Sequence, residues 1–179
     1  PLRLVGSEMC IRDSPTPLSD YNYLVIHGSH DGDVSTFQGL MQYNRLRYSQ
    51  SSPLFKSAIF MYRANHGQWN TVWNNRDNGL TSGRALNLDA LISGEEQRQF
   101  GRVVIGAFLE RVLHDRTEYQ QLFRDHRAAG DWLPPTMYLN RYADASTQWL
   151  ATFEEDVDLT SATAPGVTIA AESLSTWKE

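Results

Sequence analysis

Two uninterrupted apolar runs, Tyr23-Leu24-Val25-Ile26-His27 and Ala58-Ile59-Phe60-Met61-Tyr62, limit what this chain can fold into more than any other feature. A half-exposed strand alternates apolar and polar residues, whereas an unbroken run suits a central parallel strand covered on both faces. Between the runs, Ser35 is placed to cap a helix whose positions Phe37, Leu40, Met41, Asn44 and Tyr48 follow an i, i+3, i+4 spacing. Strand, helix, strand reads as a βαβ unit with a right-handed crossover. The strands are then parallel neighbours with both C-terminal ends at one edge of the sheet. Open α/β sheets bind ligands at that edge.

With 41% apolar and 21% charged residues, the chain can bury a core and is neither a disordered tail nor a fibrous repeat. Sixteen Lys and Arg against 21 Asp and Glu leave a formal charge of -5, and no basic block is available to neutralise a row of phosphates. Nucleic acid and anionic membrane are therefore not expected partners. No apolar stretch approaches the roughly 20 residues of a transmembrane helix. The single cysteine, Cys10, excludes an intrachain disulfide framework and a cysteine-based zinc site.

Further along, Gly67 to Asp89 is polar, rich in Asn and Gly and interleaved with Trp69 and Trp73, which predicts a long ordered surface loop. Ser93-Gly94-Glu95-Glu96 is a capping box, followed by an apolar stripe of Phe100, Val103, Val104, Ala107, Phe108 and Val112. Arg111, His114 and Arg116 then complement the end of the helix. A shorter helix is predicted from Thr117, with Tyr119, Leu122 and Phe123 on one side and a stop near Gly130, ahead of Pro134-Pro135. His114 and His126 read as solvated helix-end residues. From Trp149 onward the pattern becomes short β-like stretches, Thr152 to Leu159 and Val167 to Ala171, broken by Ala164-Pro165-Gly166.

The expected organisation is thus an α/β domain over residues 15–143 and the start of a truncated β-rich domain over 144–179, ending at Trp177-Lys178-Glu179. Residues 1–14 show no period, and Ser7 to Ser14 resemble translated adapter read-through of the kind found in metagenomic reading frames. They are set aside as an artefact, Cys10 with them.

Chemistry is concentrated at the two strand ends. The first run is followed by Gly28-Ser29-His30-Asp31-Gly32-Asp33-Val34 and the second by Arg63-Ala64-Asn65-His66-Gly67-Gln68-Trp69. Neighbouring strands lie about 4.8 Å apart, so an acid just past one can meet a histidine just past the other. A carboxylate on one imidazole nitrogen fixes the tautomer and stabilises the imidazolium, and the other nitrogen is then free to take a proton from a nucleophile. Gly28 and Gly32 are expected to let the acid loop turn sharply. His27, His30, Asp31 and Asp33 fit no D-x-[DN]-x-[DN]-G calcium loop, and no metal or other cofactor is expected.

The pattern H-G-x-x-D-x-x-V at a strand end, then a helix, a strand and an N-H-G loop, resembles the C-terminal half of an α/β-hydrolase catalytic domain. It is most similar to secreted bacterial esterases and lipases, whose acid loop also reads D-G-D-V. The resemblance covers about Tyr21 to Leu113. It implies the C-terminal part of an α/β-hydrolase parallel sheet with flanking helices, and a serine, acid, histidine chain order. By that match Asp31 corresponds to the triad acid and His66 to the triad histidine, with Asp33 the alternative acid. Trp69 and Trp73 are candidates to line an acyl or leaving-group pocket, aromatic packing of the loop being the other reading.

The nucleophile elbow G-x-S-x-G occurs nowhere in the chain and is expected upstream, so the chain alone is expected to be inactive. The implied activity of the complete protein is that of a serine hydrolase on carboxylic esters, with a small or lipid-like ester as substrate. Two alternatives stay open: a prolyl-oligopeptidase-like serine peptidase, and a non-catalytic binding protein on the same scaffold. The β-like C-terminal region is a candidate for binding carbohydrate or a surface. The family resemblance implies secretion or a periplasmic location.

Overall fold

The structure is a computed structural model that describes residues 18–34, 36–73, 75, 77, 87–152, 158, 160–170 and 172. Pro1 to Ser14, Cys10 and the cap residue Ser35 therefore lie outside the described residues, as does part of the predicted loop from Gly67 to Asp89. The chain divides into two compact units, Pro1–Ala145 and Ser146–Glu179.

The first unit is built on a mixed three-stranded sheet of order β1-β2-β3, with β1 at Tyr23–Gly28, β2 at Phe55–Met61 and β3 at Tyr138–Asp144. The two apolar runs are parallel neighbours, in register from Tyr23 opposite Lys56 to Gly28 opposite Met61. β3 runs antiparallel to β2, with Phe55 opposite Asp144. The purely parallel sheet expected from the sequence is thus a mixed one. The physical reason lies in β3's own pattern: over residues 138–142, covered Tyr138, Asn140 and Tyr142 alternate with exposed Leu139 and Arg141, and Ala143 is buried on the opposite face from Tyr138, so no apolar run marks the strand. β1 is an outer strand of this sheet and every residue in it is half-buried, whereas β2 is central and almost wholly buried.

Helices cover both faces. Residues Phe55, Ile59 and Met61 of β2 point one way, into a core with Phe100, Val104, Ala107, Leu122, Phe123 and Tyr138. Ala58 and Ala143 point the other way, against Tyr43. Fully burying a side chain such as Phe55 or Ile59 contributes roughly 1.5–3 kcal/mol, so the first face carries most of the hydrophobic stabilisation. Phe55 also sits within an aromatic group, 5.3 Å from Phe123 and 5.8 Å from Phe108 between ring centres.

The crossover helix α1 spans Gln38–Arg45 and faces differently from its predicted stripe: Gly39, Gln42 and Tyr43 are buried, while Phe37 and Met41 are exposed. Gly39 is the physical reason. A Cβ there would lie 2.4 Å from Val25 Cγ2, so the missing side chain lets the helix backbone close onto β1 and selects that face for burial. No side chain caps the helix start, whose flanking residue is Phe37. At its end, Lys56 from β2 donates to the carbonyls of Tyr43 and Leu46 at 2.7 Å each and lies over the Tyr43 ring. Burial, with the charges of Arg47 and Arg141, pushes the Lys56 pKa down to about 8.

The long helix α2 spans Gly94–Leu113 and opens with the predicted capping box: Ser93 Oγ accepts from the Glu96 amide, and Glu96 accepts from Ser93 N–H. Its stripe buries Phe100, Val104 and Ala107, with Val103, Phe108 and Val112 partly covered. The next helix, α3 at Gln120–Arg124, stops earlier than predicted. Asp125 caps a following 3-10 segment, His126–Trp132, through the Arg127 amide. His114 is exposed and pairs with Glu110 as a helix-end residue. His126 is partly buried instead, bonded to Asn140 Oδ1 at 2.8 Å and packed on Tyr138.

In the second unit no strand is present among the described residues, which include Val167 to Ala170 of the second β-like stretch. Ala164 N–H donates to Leu150 O, Thr152 N–H to Thr163 Oγ1 and Ile169 N–H to Thr160 O. Residues 153–157, 159 and 171 of the two β-like stretches lie outside the described residues.

Candidate active site

The acid loop leaves β1 at Gly28 and the histidine loop leaves β2 at Met61, side by side because the strands are parallel neighbours. The two loops touch from their first residues. Ser29 N–H donates to Met61 O, His30 N–H to Ala64 O at 2.8 Å, and Arg63 N–H to Ser29 Oγ at 2.8 Å. At Gly28 an added Cβ would lie 2.5 Å from Ala64 O, so glycine is needed there for room. The left-handed residue of this region is Arg63, at φ 66, a conformation that costs of order 1 kcal/mol or more in a non-glycine residue. It is held by Ile92 N–H on its carbonyl and by its own Nε on Ala90 O.

These contacts bring the sequence-predicted pair together. His66 Nδ1 lies 3.0 Å from Asp31 Oδ2 and donates to it. Asp31 is itself oriented by its own turn, since its Oδ1 accepts from Asp33 N–H at 3.0 Å and Val34 N–H at 2.7 Å. Asp33 is on the other side of the ring: its Oδ2 is 3.7 Å from Nε2, and its side chain is 45% exposed against 15% for Asp31. Partial burial pulls the His66 pKa down, but the hydrogen bond and charge of Asp31, with the charges of Asp33 and Asp77, outweigh it and hold the imidazole above its ordinary value. An Nδ1–H tautomer leaves Nε2 with a lone pair, the arrangement a general base requires.

The two tryptophans separate. Trp69 packs on Phe100, with ring centres 5.9 Å apart, and against Gly101 of α2. It anchors the histidine loop to the core. Trp73 is half exposed and stacks on His66, ring centres 6.1 Å apart with planes 19° from parallel, so it forms a wall beside the imidazole.

Three polar residues of this cluster were not singled out from the sequence. Gln97, fully buried on α2, reads both backbone groups of Asn65: its Oε1 accepts from Asn65 N–H at 3.1 Å, and its Nε2 donates to Asn65 O at 2.7 Å. The signal was present, since Gln97 falls on the buried stripe with Phe100 and Val104 and a buried polar group must be paired. Asn65 donates through Nδ2 to Asp77 Oδ1 at 2.8 Å and accepts from the Gln68 amide. Asp77 is the third; its carboxylate also accepts from Gly32 N–H at 2.7 Å, His66 N–H at 3.1 Å and Gly67 N–H at 2.8 Å.

Among the described residues, no group of three or more His, Cys, Asp or Glu side chains is placed to hold a metal ion. The Asp77 oxygens face N–H donors, which would repel a cation. Among the described residues, no helix is long and apolar enough to cross a membrane. A groove of about 860 Å³ runs along α2, lined by Val103, Ala107, Tyr119, Leu122 and Trp132, and none of the Asp31, Asp33 and His66 cluster borders it. Compared with protein-family models, with curated proteins and with solved structures, the chain finds no match.

Proposed function

We propose that this chain carries the acid and the base of an α/β-hydrolase-type serine hydrolase acting on carboxylic esters, its nucleophile and oxyanion-hole amides coming from a segment outside these 179 residues. The observation that supports this reading best is the 3.0 Å bond from His66 Nδ1 to Asp31 Oδ2, made where two parallel strands end side by side. The half-exposed apolar run of β1 also suits a strand that has further neighbours in a larger sheet.

In the proposed reaction the serine hydroxyl attacks the ester carbonyl carbon as His66 Nε2 takes its proton, while Asp31 stabilises the imidazolium. The tetrahedral intermediate then expels the alcohol, which leaves with the proton from Nε2. Water attacks the acyl-enzyme, giving its proton to Nε2. Collapse releases the acid and returns that proton to the serine. The Trp73 face and the exposed carboxylate of Asp33 border the side on which substrate enters.

The test is turnover of short activated esters by the complete protein, which should be measurable and should fall by roughly 10⁴-fold or more in His66→Ala. A folded His66→Ala variant with wild-type turnover, or cleavage of peptides but not esters, overturns the reading.

A further inference from the structure

A carboxylate has about four acceptor positions, and in Asp77 all four are occupied. Oδ2 accepts from Gly32 N–H and His66 N–H, and Oδ1 accepts from Gly67 N–H and Asn65 Nδ2. One of these donors belongs to the acid loop and three to the histidine loop. Gly32 follows Asp31 directly, and His66 offers its own backbone amide. Asp77 therefore reaches each partner of the Asp31–His66 bond within one residue.

We propose that Asp77 is a positioning residue for His66, its carboxylate clamping the acid loop to the histidine loop and so setting how Asp31 meets the imidazole. The catalytic purpose of the clamp rests on the hydrolase reading above; the clamp itself does not. The acid loop also meets the histidine loop through its first two residues, Ser29 and His30, through the Asp31 side chain, and through Asp33 Oδ2, 3.7 Å from His66 Nε2. The Asp31 side chain also bonds within residues 31–34, its Oδ1 accepting from the Asp33 and Val34 amides. Asp77 adds a second fixed point next to Asp31, on the far side of the bond that matters. Its negative charge also favours the imidazolium, together with Asp31 and Asp33, the other charged groups acting on this ring.

Asn is the informative replacement. It has the same shape, but its amide nitrogen must face two N–H donors, so one oxygen's pair of bonds becomes a repulsion. The measurement is nuclear magnetic resonance of the imidazole Nδ1 proton of His66 and of the amides of Gly32, His66 and Gly67 in the full 179-residue chain. In Asp77→Asn the three amide signals should move together. The Nδ1 proton should exchange with water roughly tenfold faster or more, as loss of a charge-assisted bond implies. Asp33→Asn removes a charge of the same sign near the ring without touching the clamp, and should leave the three amides in place.

Wild-type exchange of the Nδ1 proton in a folded Asp77→Asn chain overturns the proposal. Should that variant fail to fold, the wild-type chain decides: the Gly32, His66 and Gly67 amides should be protected from exchange with one common opening rate. Independent, unprotected exchange overturns the clamp. Ester turnover by the complete protein separates the two readings, because an inactive protein with clamped amides refutes the hydrolase alone.

Discussion

The acid loop and the histidine loop end neighbouring strands of one sheet, yet they are held by different means. The histidine loop is bolted to the core: buried Gln97 satisfies both backbone groups of Asn65, Gln68 donates to Ile92 O, and Trp69 packs on Phe100. The acid loop is held by its own turn, through Asp31 Oδ1, and by bonds to the histidine loop and Asp77. His66 is thus mounted on α2, and Asp31 is oriented against it. A mutation in one loop should mainly cost chemistry, and a mutation beneath the other should mainly cost stability.

Within the acid loop the largest effect should come from Asp31→Asn: on the proposed hydrolase reading, kcat of the complete protein should fall by roughly 10⁴-fold, because the amide favours the wrong imidazole tautomer. Denaturant unfolding of the same variant should be little changed. Asp33→Asn should cost far less activity, since it faces Nε2 from 3.7 Å and is half exposed. Equal large losses at both positions would break the comparison by showing that the acid loop acts as a unit.

Gln97→Leu should act in the opposite sense. It leaves the buried N–H and carbonyl of Asn65 without partners, which costs about 2–4 kcal/mol of unfolding free energy. Gln97→Glu keeps the acceptor, but toward Asn65 O it offers a donor only while protonated, so its loss of stability should grow as the pH rises and the buried carboxyl is forced to ionise. A Gln97→Leu chain as stable as wild type in urea would mean that the histidine loop is not anchored through α2.

The smallest effect is in pH dependence. His66 holds its proton more tightly in the folded chain than in the unfolded one. The stability this contributes is fully present below the ordinary histidine value near 6.5 and is lost as pH rises through the higher folded value. Asp31→Asn should flatten that part of the stability profile, and Gln97→Leu should lower the whole profile with its slope intact. The proposed hydrolase reading requires the neutral imidazole, so under it the acid limb of kcat/KM should lie above the ordinary histidine value.

Those features whose cause is local were readable in the sequence. β1 and β2 announce themselves by unbroken apolar runs, and their parallel pairing follows from the helix between them. α2 is marked by a capping box and a stripe within one stretch of chain. Asp31 and His66 could be paired in advance because parallel strands place their ends together whatever the rest of the fold does. Tertiary structure decided the remainder. Which face α1 buries depended on Gly39 meeting Val25, a contact between two elements. β3 was recruited by the edge of β2, without an apolar run of its own. Asp77 had no local signal at all. It lies in an Asn-rich loop like many others, and the partners that give it meaning are chiefly backbone N–H groups, which every residue except proline possesses, so their convergence on one carboxylate exists only once the chain has folded.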